Sequence, residues 1–98
     1  MAFGKLFEPI SIGPVKLKNR LAISPMNMVF SDNGYVNDQI LAYYAARAKG
    51  GAGLIITEAT IGGRLAARYR ANYTNLLLYD STHLRGQTEI VETIHAFG

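Results

Sequence analysis

Residues 19–28 read NRLAISPMNM, and this stretch decides how the chain folds. Residues 21–24, which begin with the apolar run Leu21-Ala22-Ile23, lack alternation, which is typical of a strand covered on both faces of a parallel sheet. The run ends at Pro25. Proline lacks an amide hydrogen and has a fixed φ, so it closes the strand and orients the backbone groups that follow. The stretch predicts a buried parallel strand with a shaped carboxyl end.

A second apolar run, residues 53–57, is separated from the first by a predicted helix. Asn37 or Asp38 can cap this helix, and Gly50-Gly51 ends it. Its apolar face repeats at spacings of three and four residues, with Ile40, Leu41, Tyr44, Ala45 and Ala48. Strands joined through a helix pair in parallel by a right-handed crossover, so the pattern indicates an α/β fold.

A hairpin and a second helix are predicted on either side of this unit. Residues 9–18 alternate around Gly13-Pro14, which predicts a hairpin with a two-residue turn. Asp80 or Ser81 can cap the second helix. Its predicted apolar stripe consists of Leu84, Ile90, Val91, Ile94 and Phe97. Residues 60–79 are predicted as one long connection. Because two parallel strands leave unpaired apolar edges, we expect the beginning of a longer α/β protein.

Size and composition exclude several classes of protein. The chain has 98 residues, 49% of them hydrophobic, and a formal net charge of +3 from 10 Lys+Arg and 7 Asp+Glu. No dense basic stripe occurs, so nucleic acid is not an expected partner. The lack of cysteine excludes a disulfide or thiolate metal site within these residues, and we predict no metal. We expect neither a membrane span nor a secretory signal, and therefore a cytoplasmic location.

The candidate ligand site lies where the two strands end. Ligands of parallel α/β folds bind beyond the carboxyl ends of the strands, which groups residues 24–27 with residues 58–60. Asn27 offers both a donor and an acceptor, and the small Ala59 leaves room for a flat ring, so a heterocycle is a suitable ligand. An ordinary turn packed with methionine explains the same pattern.

Other polar residues each have a functional and a structural interpretation. Asn19-Arg20 could contact phosphate, but its place at the amino end of a strand favours a structural junction. Arg47 is expected to be a structural ion pair or a solvated charge, and His83 and His95 to be surface or cap residues. Residues of the long connection could meet an anionic or aromatic substrate, or simply lie in solvent: Arg64, Arg68, Arg70, Tyr69, Tyr73 and Tyr79.

A set of short motifs occurs in order along the chain: Leu6-Phe7-Glu8-Pro9, Ile12-Gly13, Leu17-Lys18-Asn19-Arg20, Ser24-Pro25-Met26, Tyr43-Tyr44, Arg47-Ala48 with Gly50-Gly51, and GLIITEA at residues 53–59. Together they resemble the start of the old yellow enzyme family of flavin-dependent ene-reductases, in particular its NADH:flavin oxidoreductase branch with the 2-enoate and 2,4-dienoyl-CoA reductases. The resemblance implies that residues 1–98 are the N-terminal fragment of a TIM (β/α)8 barrel, an incomplete FMN-binding domain. It assigns 9–18 to a barrel-closing hairpin and 20–98 to the first two βα units.

The resemblance also implies a cofactor and a reaction. FMN would be lined by Ser24, Pro25, Met26, Asn27 and Ala59. Several relatives carry cysteine or threonine at the position of Asn27, so its effect on flavin reduction departs from theirs. Hydride would pass from NAD(P)H through the flavin to the C=C bond of an unsaturated carbonyl, enoate or enoyl-CoA.

The resemblance places no catalytic residue within residues 1–98, so the chain alone is expected to be inactive. An iron–sulfur cluster and FAD in a longer parent stay open, as does an oligomer. The alternatives are a truncated, non-catalytic remnant and a small assembly module that buries its open edges against a partner.

Overall fold

A computed structural model describes residues 3–63 and 76–98. After a short 3-10 helix at Gly4–Phe7, the strands are β1 (Ile10–Ile12), β2 (Val15–Leu17), β3 (Ala22–Ile23), β4 (Leu54–Ile55), β5 (Thr60–Ile61) and β6 (Leu76–Leu77). The helices are α1 (Asp38–Lys49) and α2 (Ser81–His95). In the part of the chain that the structure describes, no helix is both long and apolar enough to cross a membrane.

Strands β1 and β2 form the predicted hairpin. They pair antiparallel, with Ile10 opposite Leu17 and Ile12 opposite Val15. The two residues between them form the turn, and Gly13 has a φ of 56°. Glycine adopts this left-handed conformation without the steric cost that a Cβ would add, which explains why it opens the turn.

The central pair is β3 with β4, joined through α1. The strands are parallel, with Ala22 opposite Leu54 and Ile23 opposite Ile55, so the predicted βαβ unit is present. Both strands are shorter than the apolar runs suggested. The described residues by themselves do not cover both faces of the pair, since Ala22 is exposed and Ile55 only partly buried. Among the described residues no further strand pairs with the outer edge of either.

Helix α1 supplies half of the buried hydrophobic residues in the described part of the chain. Asn37 caps it, as predicted, and accepts a hydrogen bond from the amide of Ile40 at 3.0 Å. Its inward face buries Ile40, Tyr44 and Ala48, the spacing expected of an amphipathic helix. The packed core joins this face to α2 and β6 through Ile40, Tyr44, Leu76 and Ile90.

Helix α2 begins at the predicted cap, since Asp80 accepts a hydrogen bond from the amide of Thr82 at 2.9 Å. Its predicted apolar stripe is only partly correct. Ile90 is buried and Ile94 partly buried, but the rest of the stripe is largely exposed: Leu84 at 56%, Val91 at 49% and Phe97 at 42%. The described residues therefore leave these three side chains largely uncovered.

The connection between β4 and α2 contains structure that the sequence did not reveal. Residues 60–79 were expected as one connection, yet Thr60 and Ile61 pair in parallel with Leu76 and Leu77. Each strand has only two residues, which is too short for an alternating pattern to register. Several candidate residues of this connection lie outside the described part of the chain: Arg64, Arg68, Arg70, Tyr69 and Tyr73.

Candidate functional site

The parallel pairing brings the ends of β3 and β4 to one edge of the fold. The amide of Ile56 donates to the carbonyl of Ile23 at 3.0 Å, which fixes the two strand ends side by side. Residues 24–27 leave β3 at this edge, and Ala59 lies four residues beyond the end of β4. All five side chains are exposed. This edge is where ligands bind in parallel α/β folds.

Residues 24–27 keep their hydrogen-bonding groups unused within the described chain. Neither their backbone nor the side chains of Ser24 and Asn27 make a hydrogen bond to the described residues. Backbone amides and carbonyls normally find partners in water, in protein or in a ligand. The segment therefore presents a mixed set of donors and acceptors, and Ala59 adds little bulk beside it.

A buried carboxyl group joins the two strand ends. Glu58 is only 3% exposed, and its Oε2 accepts a hydrogen bond from the amide of Met28 at 3.3 Å. Its own amide donates to the hydroxyl of Tyr44 at 2.9 Å. Burial raises the pKa of the Glu58 carboxyl above its usual range, and the Met28 amide partly opposes that rise. Glu58 thus connects the loop after β3, the loop after β4 and helix α1.

Tyr44 positions Glu58 from the core. It is 1% exposed, and its ring meets that of Tyr43 edge-on, with centroids 5.3 Å apart. Burial is the main reason that the pKa of Tyr44 is raised. On the exposed side of α1, the guanidinium of Arg47 lies 3.7 Å from the centroid of the Tyr43 ring. Arg47 is therefore a cation–π partner of its own helix, remote from the strand ends.

The loop after β3 turns sharply at Val29. This residue has a φ of 62°, a left-handed conformation that is costly for a β-branched side chain. Both of its neighbours are anchored. The Met28 amide is bound to Glu58, and the carbonyl of Phe30 accepts from Nδ2 of Asn37 at 2.7 Å. Local strain of this kind persists only where the surrounding contacts enforce it.

Asn19 has the structural role that its position favours. It is 8% exposed, its Nδ2 donates to the carbonyl of Gly51 at 2.7 Å, and its Oδ1 accepts from the amide of Leu21 at 3.0 Å. Arg20 is exposed, with Nη2 3.9 Å from a carboxylate oxygen of Glu8. Asn19 thus joins the amino ends of β3 and β4, away from residues 24–27.

The expectation of a surface or capping residue is wrong for His83 as far as the surface is concerned, and its place beside the capping residue Asp80 agrees with the second alternative. Its side chain is buried between two tyrosines, with ring centroids 4.9 Å from Tyr35 and 4.7 Å from Tyr79, and Nδ1 lies 3.3 Å from Oδ1 of Asp80. The three rings and Leu77 line an open cleft of about 300 Å³. The rings of Tyr35 and Tyr79 cover the imidazole, and Tyr35 lies far from His83 in sequence, so the local pattern did not predict this burial. His95, in contrast, is exposed.

The sequence of this chain matches that of a known family. The model of the NADH:flavin oxidoreductase / NADH oxidase family matches residues 5–98. The chain belongs to this family. Among curated relatives of this NADH:flavin oxidoreductase family, the NADPH dehydrogenase of Halalkalibacterium halodurans is 40% identical over 96 residues, which are 96% of this chain and 28% of that protein.

Solved structures agree with the family assignment. Old Yellow Enzyme from Pichia sp. AKU4542 superimposes with a TM-score of 0.82 at 34% identity, over 96% of this chain and 24% of that one. A 2-naphthoyl-CoA reductase in complex with 2-naphthoyl-CoA gives a TM-score of 0.88 at 28% identity, over 98% and 14%. The chain thus has the fold of the N-terminal part of an old yellow enzyme TIM barrel, and it spans about a quarter or less of the length of these proteins.

The residues present suit a flavin. An isoalloxazine ring is flat and carries donors and acceptors on one edge, which matches the unused groups of residues 24–27 and the small side chain of Ala59. The sequence grouped these five residues with Glu58 at the ends of the two strands. It did not reveal the contacts of Glu58 with Met28 and Tyr44, or the left-handed Val29. The sequence signal for Glu58 was a carboxylate placed directly after a buried apolar run, where an unpaired charge would be costly.

Proposed function

We propose that this chain is the N-terminal part of an FMN-dependent oxidoreductase that reduces activated C=C bonds with NAD(P)H. The proposal is supported chiefly by the unused hydrogen-bonding groups of residues 24–27, exposed at the carboxyl ends of paired parallel strands. Family membership supports the choice of a flavin and of a nicotinamide reductant. Bound FMN would supply the relay of hydride from NAD(P)H to the alkene.

The protein's part in this reaction is to bind and orient. We assign the backbone of residues 24–26 and the Asn27 amide to contacts with the polar edge of the flavin. Ala59 lets the ring approach the end of β4 without a steric clash. We propose an unsaturated carbonyl compound, enoate or enoyl-CoA as substrate, and the 2-naphthoyl-CoA bound to a related reductase favours an enoyl-CoA. The proton that completes the reduction has no donor that we assign among the described residues.

The chain is proposed to be an incomplete domain, with the hairpin closing one end of the barrel. A cleft of about 320 Å³ opens beside β4. Its walls come from the hairpin, β4 and α2, and include Leu17, Leu54, Ile55, Ile90 and Ile94. In a parallel barrel the next strand packs at this position, against the free edge of β4. An unfilled apolar cleft of this kind supports the view that further barrel strands complete the fold.

Reconstitution tests this function. Residues 1–98 replace the corresponding segment of the H. halodurans NADPH dehydrogenase, and the purified chimaera is examined for bound FMN and for NADPH-driven reduction of an α,β-unsaturated ketone. We expect about one FMN per chain and reduction of the ketone. The 98-residue chain alone is expected to retain no flavin. A well-folded chimaera without FMN contradicts the proposal, and so does a flavin-loaded 98-residue chain.

The open strand edges favour a second candidate, an assembly module without activity. It predicts that the pure chain forms a defined oligomer and that the chimaera lacks flavin. Size-exclusion chromatography with light scattering distinguishes the two candidates when read beside the chimaera. A flavin-loaded, active chimaera excludes the second candidate, whatever the oligomeric state of the isolated chain.

A further inference from the structure

We infer that Glu58 is a positioning residue whose buried carboxyl group holds the loop after β3 in the shape that presents residues 24–27. This inference rests on the proposed function for the ligand that the loop binds. The contact between Glu58 and the loop, in contrast, is a property of the described residues. The direct contact is the hydrogen bond from the Met28 amide to Oε2 of Glu58 at 3.3 Å.

The geometry on both sides of Val29 carries the inference. Residues 24–27 make no hydrogen bonds to the described chain, so their path is set by what precedes and follows them. Strand β3 fixes the start of the loop. After it, the left-handed Val29, with a φ of 62°, lies between the Met28 amide, held by Glu58, and the Phe30 carbonyl, held by Asn37. Releasing Met28 removes one of the two anchors that maintain a strained turn.

Glu58 is itself placed with little freedom. The Tyr44 hydroxyl on α1 accepts its amide hydrogen at 2.9 Å, and the side chain is 3% exposed. Tyr44 is the titratable group that faces it, with Tyr43 behind, and none of the ion pairs among the described residues includes Glu58. Its second oxygen, Oε1, is buried and accepts no hydrogen bond from the described chain. Burying a carboxyl group where leucine would fill the space is costly, so its presence here indicates a use for its acceptor oxygen.

The test uses the ¹⁵N-labelled 98-residue chain without flavin, so that its result is separate from that of the chimaera. Three variants are compared with the native chain. Glu58→Gln keeps an acceptor for the Met28 amide but removes the titration, and Glu58→Ala removes the acceptor. Glu92→Ala deletes an exposed carboxylate of α2 as the matched control.

In the native chain, the amide signal of Met28 is expected to titrate with a midpoint above the ordinary glutamate range. Glu58→Gln abolishes the titration and leaves exchange of the Met28 amide within about threefold of native. Glu58→Ala accelerates that exchange about tenfold, as for loss of one hydrogen bond, and shifts the amide signals of Met26, Asn27 and Val29. Glu92→Ala changes none of these.

Two results overturn the inference. One is a Met28 amide that does not titrate, or that titrates equally in Glu58→Gln. The other is a folded Glu58→Ala chain with native exchange at Met28 and native signals from residues 26–29. If Glu58→Ala does not fold, the native and Glu58→Gln titrations decide the question by themselves. If the loop responds as expected but the chimaera binds no FMN, the positioning role of Glu58 is supported and the proposal that the loop binds flavin is contradicted.

Discussion

Replacing Gly53 by alanine tests whether the junction at the amino ends of β3 and β4 is as close-packed as the structure indicates. A Cβ at this position would lie 2.5 Å from Oδ1 of Asn19 and 2.7 Å from the Asn19 carbonyl oxygen. Both distances are too short for real contacts, and the second atom belongs to the backbone, which cannot rotate away. The Asn19 side chain must therefore move, and it cannot do so without releasing Gly51 and Leu21.

The magnitude follows from these contacts. Two hydrogen bonds are worth about 1 kcal/mol each, and overpacking a filled site costs about 1–3 kcal/mol. Against this, removing a glycine from the unfolded chain stabilises the fold by about 0.4–1 kcal/mol. We expect Gly53→Ala to lower the free energy of unfolding by about 3 kcal/mol. With a slope of roughly 1.5 kcal/mol per molar urea, the midpoint falls by about 2 M.

Urea unfolding followed by far-UV circular dichroism measures the change. Gly62→Ala is the matched control, because the nearest atom to its new Cβ is the Leu78 carbonyl oxygen at 3.9 Å. The control should lie within about 0.5 kcal/mol of the native chain. A Gly53→Ala midpoint equal to that of the control would refute the reasoning, since the backbone contact leaves no inexpensive way to relax.

Four further outcomes are expected. Gly86→Ala is expected to destabilise the chain by about 1 kcal/mol in thermal unfolding, because the new Cβ would lie 2.7 Å from Cβ of Val36. This clash outweighs the better helix propensity of alanine. Adding Val36→Gly removes the clash and recovers part of the lost stability. Asn37→Ala costs about 2 kcal/mol in urea. Asn37→Asp does not avoid this cost, because it keeps the cap bond but loses the two bonds donated by the amide group and places a second carboxylate beside that of Asp32. Tyr44→Phe costs about 1–3 kcal/mol in the same assay with an unchanged circular dichroism spectrum, because a buried amide loses its acceptor. Because folding raises the pKa of Glu58, the contribution of this carboxyl group to stability is greatest below the ordinary glutamate pKa and is lost as pH rises through the folded-state pKa. The difference in unfolding free energy between the native chain and Glu58→Gln should therefore decrease over this pH range. A difference that does not change with pH contradicts the prediction.

Local signals predicted the elements with strong patterns. The Asn37 cap and the face of α1 follow from side-chain chemistry and a 3.6-residue period, and the hairpin follows from the glycine that its turn needs. The family resemblance then predicted the barrel fold, which the pattern of two parallel strands could not specify. The resemblance also selected residues 24–27 over the ordinary turn that the pattern allowed.

The missed features depend on contacts distant in sequence. The pairing of β5 with β6 joins two-residue strands, and the buried His83 is covered in part by the ring of Tyr35, which lies far from it in sequence. Glu58 contacts residues fourteen and thirty positions away, Tyr44 and Met28, so no local window links them. The burial of the whole apolar stripe of α2 was wrongly predicted. An apolar stripe shows which side chains a helix can bury, but it does not show which neighbouring elements are present to cover them.

The edges of β3 and β4 with which no described strand pairs have a consequence for the chain's lifetime in a cell. Unpaired strand edges are binding surfaces for chaperones and entry points for proteases, so degradation competes with whatever covers them. Where residues 1–98 occur without neighbours at those edges, we expect their cellular concentration to depend more on the concentration of a partner that covers the edges than on their rate of synthesis. Turnover in the presence and absence of the remaining barrel strands would measure that dependence directly.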